Sequence, residues 1–221
     1  MNILFIIPAR GGSKRLPNKN IRALGGIPLF VHSVNYAKSF SSEEDIFVST
    51  DHYEIKRIAI DAGVNVIDRP KDISGDLAST ISVVKHALGT VEKAYDTVVI
   101  LQPTNPLRPK HLLTEALEIY KEGSFDSLMT VTHSKYKLGK IINQKFKPFN
   151  YSLGQRSQDI EPLYYENGLL YIIKVTEVLK GTILGKNNYP MILKHPFSRI
   201  DIDTLEDFEL AEFFYKKYDD E

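Results

Sequence analysis

The chain of 221 residues contains no cysteine, which excludes a disulfide framework and a thiolate zinc site. Net charge is also missing. Lys and Arg number 28, as do Asp and Glu, so no global basic field recruits nucleic acid. No apolar run approaches the roughly 18 residues that a bilayer-spanning helix needs. Met1-Asn2-Ile3 lacks the basic stretch and apolar core of a secretory leader. Together these absences predict a cytoplasmic protein with no membrane and no nucleic-acid partner. What is present is an apolar fraction of 43% with 25% charge, which suits one large α/β domain with a full core.

Short apolar runs alternate with amphipathic stretches. Ile3-Leu4-Phe5-Ile6-Ile7 is continuous, the mark of a strand buried on both faces. Further strands are predicted at 46–50, 64–67, 97–101, 126–132, 168–173, 190–194 and 199–203. Helices are predicted after Pro28 and at 52–62, 77–88, 109–120 and 205–218, with Gly63 and Gly89 as terminators. The pattern specifies a mostly parallel, Rossmann-like α/β sheet with helices on both faces. Periodicity fails over about 133–162, a polar, aromatic and basic stretch too long for an ordinary connection. It is expected to be an inserted excursion, a hairpin serving dimerisation or substrate cover, within a single domain over 1–221. Asp219, Asp220 and Glu221 form an acidic tail expected to be solvated.

The segment that follows the first strand carries the densest chemistry. From Arg10 to Arg22 there are five cations and no acid. Gly11-Gly12 lets the backbone turn tightly and present N–H groups to a ligand. A loop at the C-terminal end of a buried parallel strand is where open α/β sheets bind ligands. Gly11, Gly12 and Ser13 supply a cradle, and Arg10, Lys14 and Lys19 supply charge for a polyanion, a nucleoside triphosphate in preference to a single phosphate. Neither G-x-x-x-x-G-K-[ST] nor G-x-G-x-x-G is present.

Near the other end, Asp201-Ile202-Asp203 places two carboxylates two residues apart. In a strand both would point to one face while Ile200 and Ile202 face the core. Such a pair suits Mg²⁺, which commonly takes one or two carboxylates plus substrate phosphates. Helix capping competes for the same residues: Asp203 with Glu206, or Thr204 with Asp207, could open the last helix. Capping leaves Asp201 without a role.

Pro8-Ala9-Arg10-Gly11-Gly12-Ser13-Lys14 with Asn18-Lys19-Asn20-Ile21 resembles the opening signature of the acylneuraminate cytidylyltransferases, the CMP-sialic acid synthetase family. Gln102-Pro-Thr-Asn-Pro-Leu-Arg108 is similar to a second block of that family, and Arg69-Pro70, Asp76 and Ser79-Thr80 to its nucleotide-base segment. Arg156-Ser157-Gln158-Asp159, Pro162, Tyr164 and Glu166-Asn167-Gly168 are similar to a further block, and Asp201-x-Asp203 to the closing one. Ser157, Glu161 and Tyr165 depart from the family pattern.

The resemblance implies transfer of CMP from CTP to a nonulosonic, sialic-acid-like sugar, with release of pyrophosphate. It implies Mg²⁺ (or Mn²⁺) on Asp201 and Asp203, and triphosphate on Arg10, Gly11, Gly12, Ser13 and Lys19. Asn20 would take ribose or α-phosphate, and Arg69, Ser79 and Thr80 the base. Gln102, Arg156 and Gln158 would meet the sugar, Arg156 as the partner of its carboxylate. Arg10, Lys19, Asp201 and Asp203 are thus the expected catalytic set, and a homodimer the expected assembly. Three other functions share parts of the pattern: a Kdo cytidylyltransferase, a nucleotide-sugar glycosyltransferase, and a non-catalytic nucleotide-binding module.

Overall fold

The computed structural model describes residues 1–218. Its chain order is β1 (Ile3–Pro8), a 3-10 turn at Lys19–Ile21, a small pair of strands β2 (Ala23–Leu24) and β3 (Ile27–Pro28), and α1 (Leu29–Lys38). Next come β4 (Ile46–Thr50), α2 (Tyr53–Asp61), β5 (Asn65–Asp68), α3 (Thr80–Thr90), β6 (Thr97–Ile100), α4 (Leu112–Glu122) and β7 (Ser127–Ser134). The hairpin β8 (Gly139–Ile142) and β9 (Lys145–Pro148) precedes β10 (Leu163–Lys174), α5 (Val175–Lys180), β11 (Asn188–Ile192) and α6 (Leu205–Lys217). The main sheet has the order β11-β7-β10-β6-β1-β4-β5. Only β10 runs against its neighbours β6 and β7.

Alternation within β1 explains the layers. Phe5 and Ile7 enter one core with residues of α1, α2, α4 and α6. Leu4 and Ile6 enter the other with Val84 and Ala87 of α3 and Val178 of α5. The chain first steps outward from β1 to β4 and β5. It then returns across β1 to β6, and a right-handed crossover in the reverse direction must use the opposite face, which is where α3 lies. The reversal makes a topological switch point between β1 and β6, the place where such sheets bind ligands beyond their strand C-termini.

The structure shifts several expected boundaries. The helix predicted at 77–88 spans Thr80–Thr90, because Ser79 Oγ caps it by accepting from the Ser82 N–H at 3.3 Å. Leu77 is fully exposed, and Gly89 lies inside the last turn. Pro109 sits in the turn before α4, its carbonyl accepting from Leu112 N–H at 3.1 Å. Within 133–162 the hairpin closes through Asn143 and Gln144, both at positive φ (49° and 61°), the geometry of a tight two-residue turn. The sheet resumes at Leu163, five residues before the predicted start at 168.

The strand predicted at 199–203 is not formed. Pro196–Arg199 is a 3-10 turn. Beyond it, Ile202 N–H donates to the Thr104 carbonyl at 2.8 Å and Asn105 Nδ2 to the Ile200 carbonyl at 2.7 Å. A loop rather than a strand therefore supplies the partners, although Ile200 and Ile202 remain buried. The acidic residues 219–221 lie outside the described residues.

Candidate active site

Two loops meet at the switch point. The first leaves β1 and is held from the end of β4. Ala9 N–H donates to the Ser49 carbonyl at 3.0 Å and Gly11 N–H to Asp51 Oδ1 at 3.0 Å. A Cβ on Gly11 would lie 2.5 Å from Cδ2 of His52, so only glycine fits beneath that ring. From the other side, Asn20 Nδ2 donates to the Arg10 carbonyl at 2.8 Å. Among the described residues Asn20 Oδ1 is buried without a hydrogen-bond partner, packed close to Arg10, Gly11, Asn18 and His52. Asn18 turns the chain at φ 57° to start the Lys19–Ile21 turn, a conformation asparagine tolerates better than most residues.

That turn buries Lys19. Its ammonium donates to the Ile202 carbonyl at 2.8 Å and to Asp203 Oδ1 at 2.9 Å, and Arg15 pairs with Asp203 Oδ2 at 3.1 Å. The structure thus joins the cationic loop to the Asp-x-Asp segment across more than 180 residues. Arg10 and Lys14 pair instead with Asp76, at 2.8 and 2.6 Å. Ser13 remains on the loop, its N–H donating to the Gly11 carbonyl at 3.0 Å, and Gly12 is a point where an added Cβ would meet nothing.

The second loop leaves β6 and is buried and self-satisfied. Arg108 Nε donates to the Leu169 carbonyl at 2.7 Å, and its terminal nitrogens donate to Ser33 Oγ at 3.0 Å and the Gln102 carbonyl at 2.8 Å. Its guanidinium also lies over the Tyr36 ring. Burial pushes its pKa down to about 10, so it stays charged at neutral pH. Asn105 ties the loop to Asn167 and Ile200 through their carbonyls. Arg108 and Asn105 are braces, and their contacts hold Gln102 and residues 200–203 in place.

Burial pushes the Asp201 carboxyl above the usual carboxylate range. The Thr104 hydroxyl opposes this, and the negative charges of Asp203 and Asp207 add to it. Two mutually repelling carboxylates close together are a fitting pair for a divalent cation. Among the described residues no group of three or more His, Asp or Glu side chains is poised around one point. The protein offers two carboxylates, and phosphate and water would complete an octahedral shell. The capping of α6 falls to Thr204 and Asp207, whose side chains form a reciprocal capping box, so Asp203 is left to its cations.

Arg69 stands at the end of β5 with Nε on Ser49 Oγ at 3.2 Å and a terminal nitrogen on the Ser49 carbonyl at 2.6 Å. Burial lowers its pKa to about 10, the Asp51 carboxylate opposing that shift. Ser79 spends its hydroxyl on the α3 cap, and Thr80 opens that helix. Among the described residues, no hydrogen bond or ion pair ties Arg156 or Gln158 to this constellation. Arg156 makes its ion pair with Asp159 within its own 3-10 turn, at 2.7 Å. Asn167 is taken up inside β10, accepting from the Thr130 hydroxyl at 2.6 Å and donating to Thr132 Oγ1 at 3.0 Å, where the strand is bulged and Gly168 has φ 76°. Sequence inspection missed Asp51 and His52, which shape the first loop, and the bracing role of Asn105. An acidic residue directly after a buried parallel strand is the available signal for Asp51.

A groove of about 1010 Å³ adjoins the C-terminal end of β7 and the start of β10. It is lined in part by His133, Lys135, Tyr164, Lys194 and Arg199, and among the described residues no acidic one lines it.

Residues 4–219 match the Cytidylyltransferase family, and the chain belongs to it. It is 33% identical to the CMP-N,N'-diacetyllegionaminic acid synthase of Legionella pneumophila, over 96% of this chain and 95% of that one. It is 31% identical to the pseudaminic acid cytidylyltransferase of Campylobacter jejuni, over 98% and 97%. It is 32% identical to the N-acylneuraminate cytidylyltransferase of Streptococcus agalactiae over 94% of this chain, but spans only 52% of that longer protein. The fold is shared with a CMP:2-keto-3-deoxy-manno-octonic acid synthetase complexed with CTP, at TM-score 0.71 and 15% identity, covering 98% of this chain and 99% of that one.

Proposed function

We propose that the protein is a CTP:nonulosonate cytidylyltransferase. The anomeric hydroxyl of a sialic-acid-like sugar attacks the α-phosphate of CTP, the bond from the α-phosphorus to the bridging oxygen breaks, and pyrophosphate leaves. The observation that carries this is the Lys19 ammonium, which joins the polyanion loop to Asp203 and the Ile202 carbonyl. A cation held there is placed to meet phosphate beside a carboxylate pair. The names of the full-length relatives support the sugar class.

The chemistry asks for positioning and charge neutralisation more than for a protein nucleophile. Arg10, Ser13 and Lys19, with the Gly11-Gly12 backbone, hold the triphosphate. Asn20 would take the ribose or the α-phosphate. Arg69, Ser79 and Thr80 lie along the base segment. Asp201 and Asp203 would hold Mg²⁺ or Mn²⁺, which supplies neutralisation of charge on the phosphates. Gln102 meets the sugar, and Arg156 with Gln158 serves it from the excursion.

That excursion leaves Ile141 80% and Leu153 81% exposed, apolar surface that a second subunit would cover. A homodimer with 133–162 at its interface belongs to the same proposal, as does one cytidylyltransferase unit over 1–221. So does a cytoplasmic site of action, where CTP is available.

Pyrophosphate release is the test, with CTP and Mg²⁺ against N-acetylneuraminate, legionaminate, pseudaminate and Kdo. Release with one of the nine-carbon acids is expected. Release with Kdo alone would move the substrate to the eight-carbon class, and release with none of them would overturn the proposal.

A further inference from the structure

The Asp76 carboxylate engages the two outer cations of the polyanion loop at once: Oδ1 meets Arg10 at 2.8 Å and Oδ2 meets Lys14 at 2.6 Å. Among the described residues these are the side chains that Asp76 pairs with, and it pairs with them through both oxygens, as a phosphate would. Lys14 first and Arg10 next hold its carboxyl below the usual carboxylate range.

The contact is built to be broken. The Asp76 side chain is 41% exposed, so a released carboxylate returns to water at little cost. It rides on a short segment between the 3-10 turn Lys71–Ile73 and the Ser79 cap of α3. A Cβ on the preceding Gly75 would touch nothing, and the following Leu77 packs against nothing, being fully exposed. Lys19 differs, since it is buried and held by Ile202 and Asp203. The loop thus has a fixed inner cation and two outer cations whose partner is displaceable.

We propose that Asp76 is an internal counter-anion that competes with the polyphosphate for Arg10 and Lys14 and so speeds the departure of pyrophosphate. This rests on the assignment of the loop to the triphosphate. Any ligand that takes Arg10 and Lys14 must displace the carboxylate, and the carboxylate re-forms its pairs as the ligand leaves. The competition weakens CTP and pyrophosphate alike, whereas a ligand confined to the base segment, such as cytidine, is indifferent to it. Because the pairs are partly exposed, the effect is a modest factor rather than an on–off switch.

The experiment compares wild type with Asp76→Asn, and with Asp72→Asn as a neighbouring charge control. Pyrophosphate inhibition, the KM for CTP and cytidine binding are measured at fixed ionic strength. Asp76→Asn should lower the pyrophosphate inhibition constant and the CTP KM together by about three- to tenfold. Cytidine affinity should not change, and Asp72→Asn should behave as wild type. Constants that rise would make Asp76 an orienting group for the cations and overturn the proposal, as would constants that stay fixed. An equal shift in Asp72→Asn would reduce the effect to general charge and also overturn it. A wild-type enzyme that releases no pyrophosphate from CTP would instead remove the underlying assignment.

Discussion

The loops after β1 and β6 stand side by side at the switch point and are built on opposite principles. The 102–108 loop carries a buried cation, Arg108, whose hydrogen bonds all end on the protein's own carbonyl and hydroxyl oxygens. The 9–20 loop carries cations whose partners are carboxylates, Asp76 and Asp203, with much of their surface in solvent. The first is framework, because burying a charge is tolerable only when every donor is satisfied from within. The second is exchangeable, because a cation paired with a partly exposed carboxylate can trade that partner for another anion. Lys19 stands between the two, buried like Arg108 yet paired like Arg10.

Mutations sharpen this contrast in descending order of effect. Asp203→Ala removes a carboxylate from the exchangeable side. Turnover should fall by about a hundred- to a thousandfold, while the melting temperature moves by only a few degrees, as for a partly exposed ion pair. A variant that keeps wild-type turnover would remove Asp203 from the chemistry. Arg108→Met attacks the framework side and strips hydrogen bonds from the Leu169 and Gln102 carbonyls and from Ser33 Oγ. It should cost about 3 kcal/mol of stability in urea unfolding, and retention of full stability would show that the loop does not depend on its brace.

Lys19→Ala should raise the KM for CTP about ten- to a hundredfold, as for loss of a charge-assisted hydrogen bond. The KM for the sugar should change far less. Equal changes in both would place Lys19 with the framework. Thr204→Ala deletes half of the α6 capping box and should cost about 1 kcal/mol with catalysis nearly intact. Burial alone would raise the Asp207 pKa, but hydrogen bonds from the Asp203 and Thr204 N–H groups and the Thr204 hydroxyl outweigh it and hold the carboxyl low. A depressed folded pKa stabilises above the unfolded value of ~3.9 and is lost as pH falls through the folded one. Asp207→Asn should therefore flatten the acid limb of stability between about pH 5 and 3, and an unchanged limb would refute the capping account.

Much of this was legible in the residues. β1, β4 and β6 are continuous apolar runs, and a strand buried on both faces leaves no other pattern. The five cations without an acid from Arg10 to Arg22 marked this loop as the candidate for a polyanion. The strand expected at 199–203 is not formed, because apolar alternation marks burial, not pairing. Ile200 and Ile202 are indeed buried, but their backbone partners come from Asn105 and Thr104. Arg108 could equally have touched a ligand, since a guanidinium carries no mark of where its donors end.

The sequence by itself determined the alternation of strands and helices, the sheet edge on which the loops gather, and the charge each loop brings. Those follow from local periodicity and residue chemistry, which act over a few neighbours. Only the tertiary structure decided which carboxylate each cation meets. Lys19 reaches Asp203, and Arg10 and Lys14 reach Asp76, because the crossover that reverses at β1 brings the ends of β1 and β5 and the 200–203 segment to one edge. No local pattern encodes pairs that lie from about 60 to more than 180 residues apart.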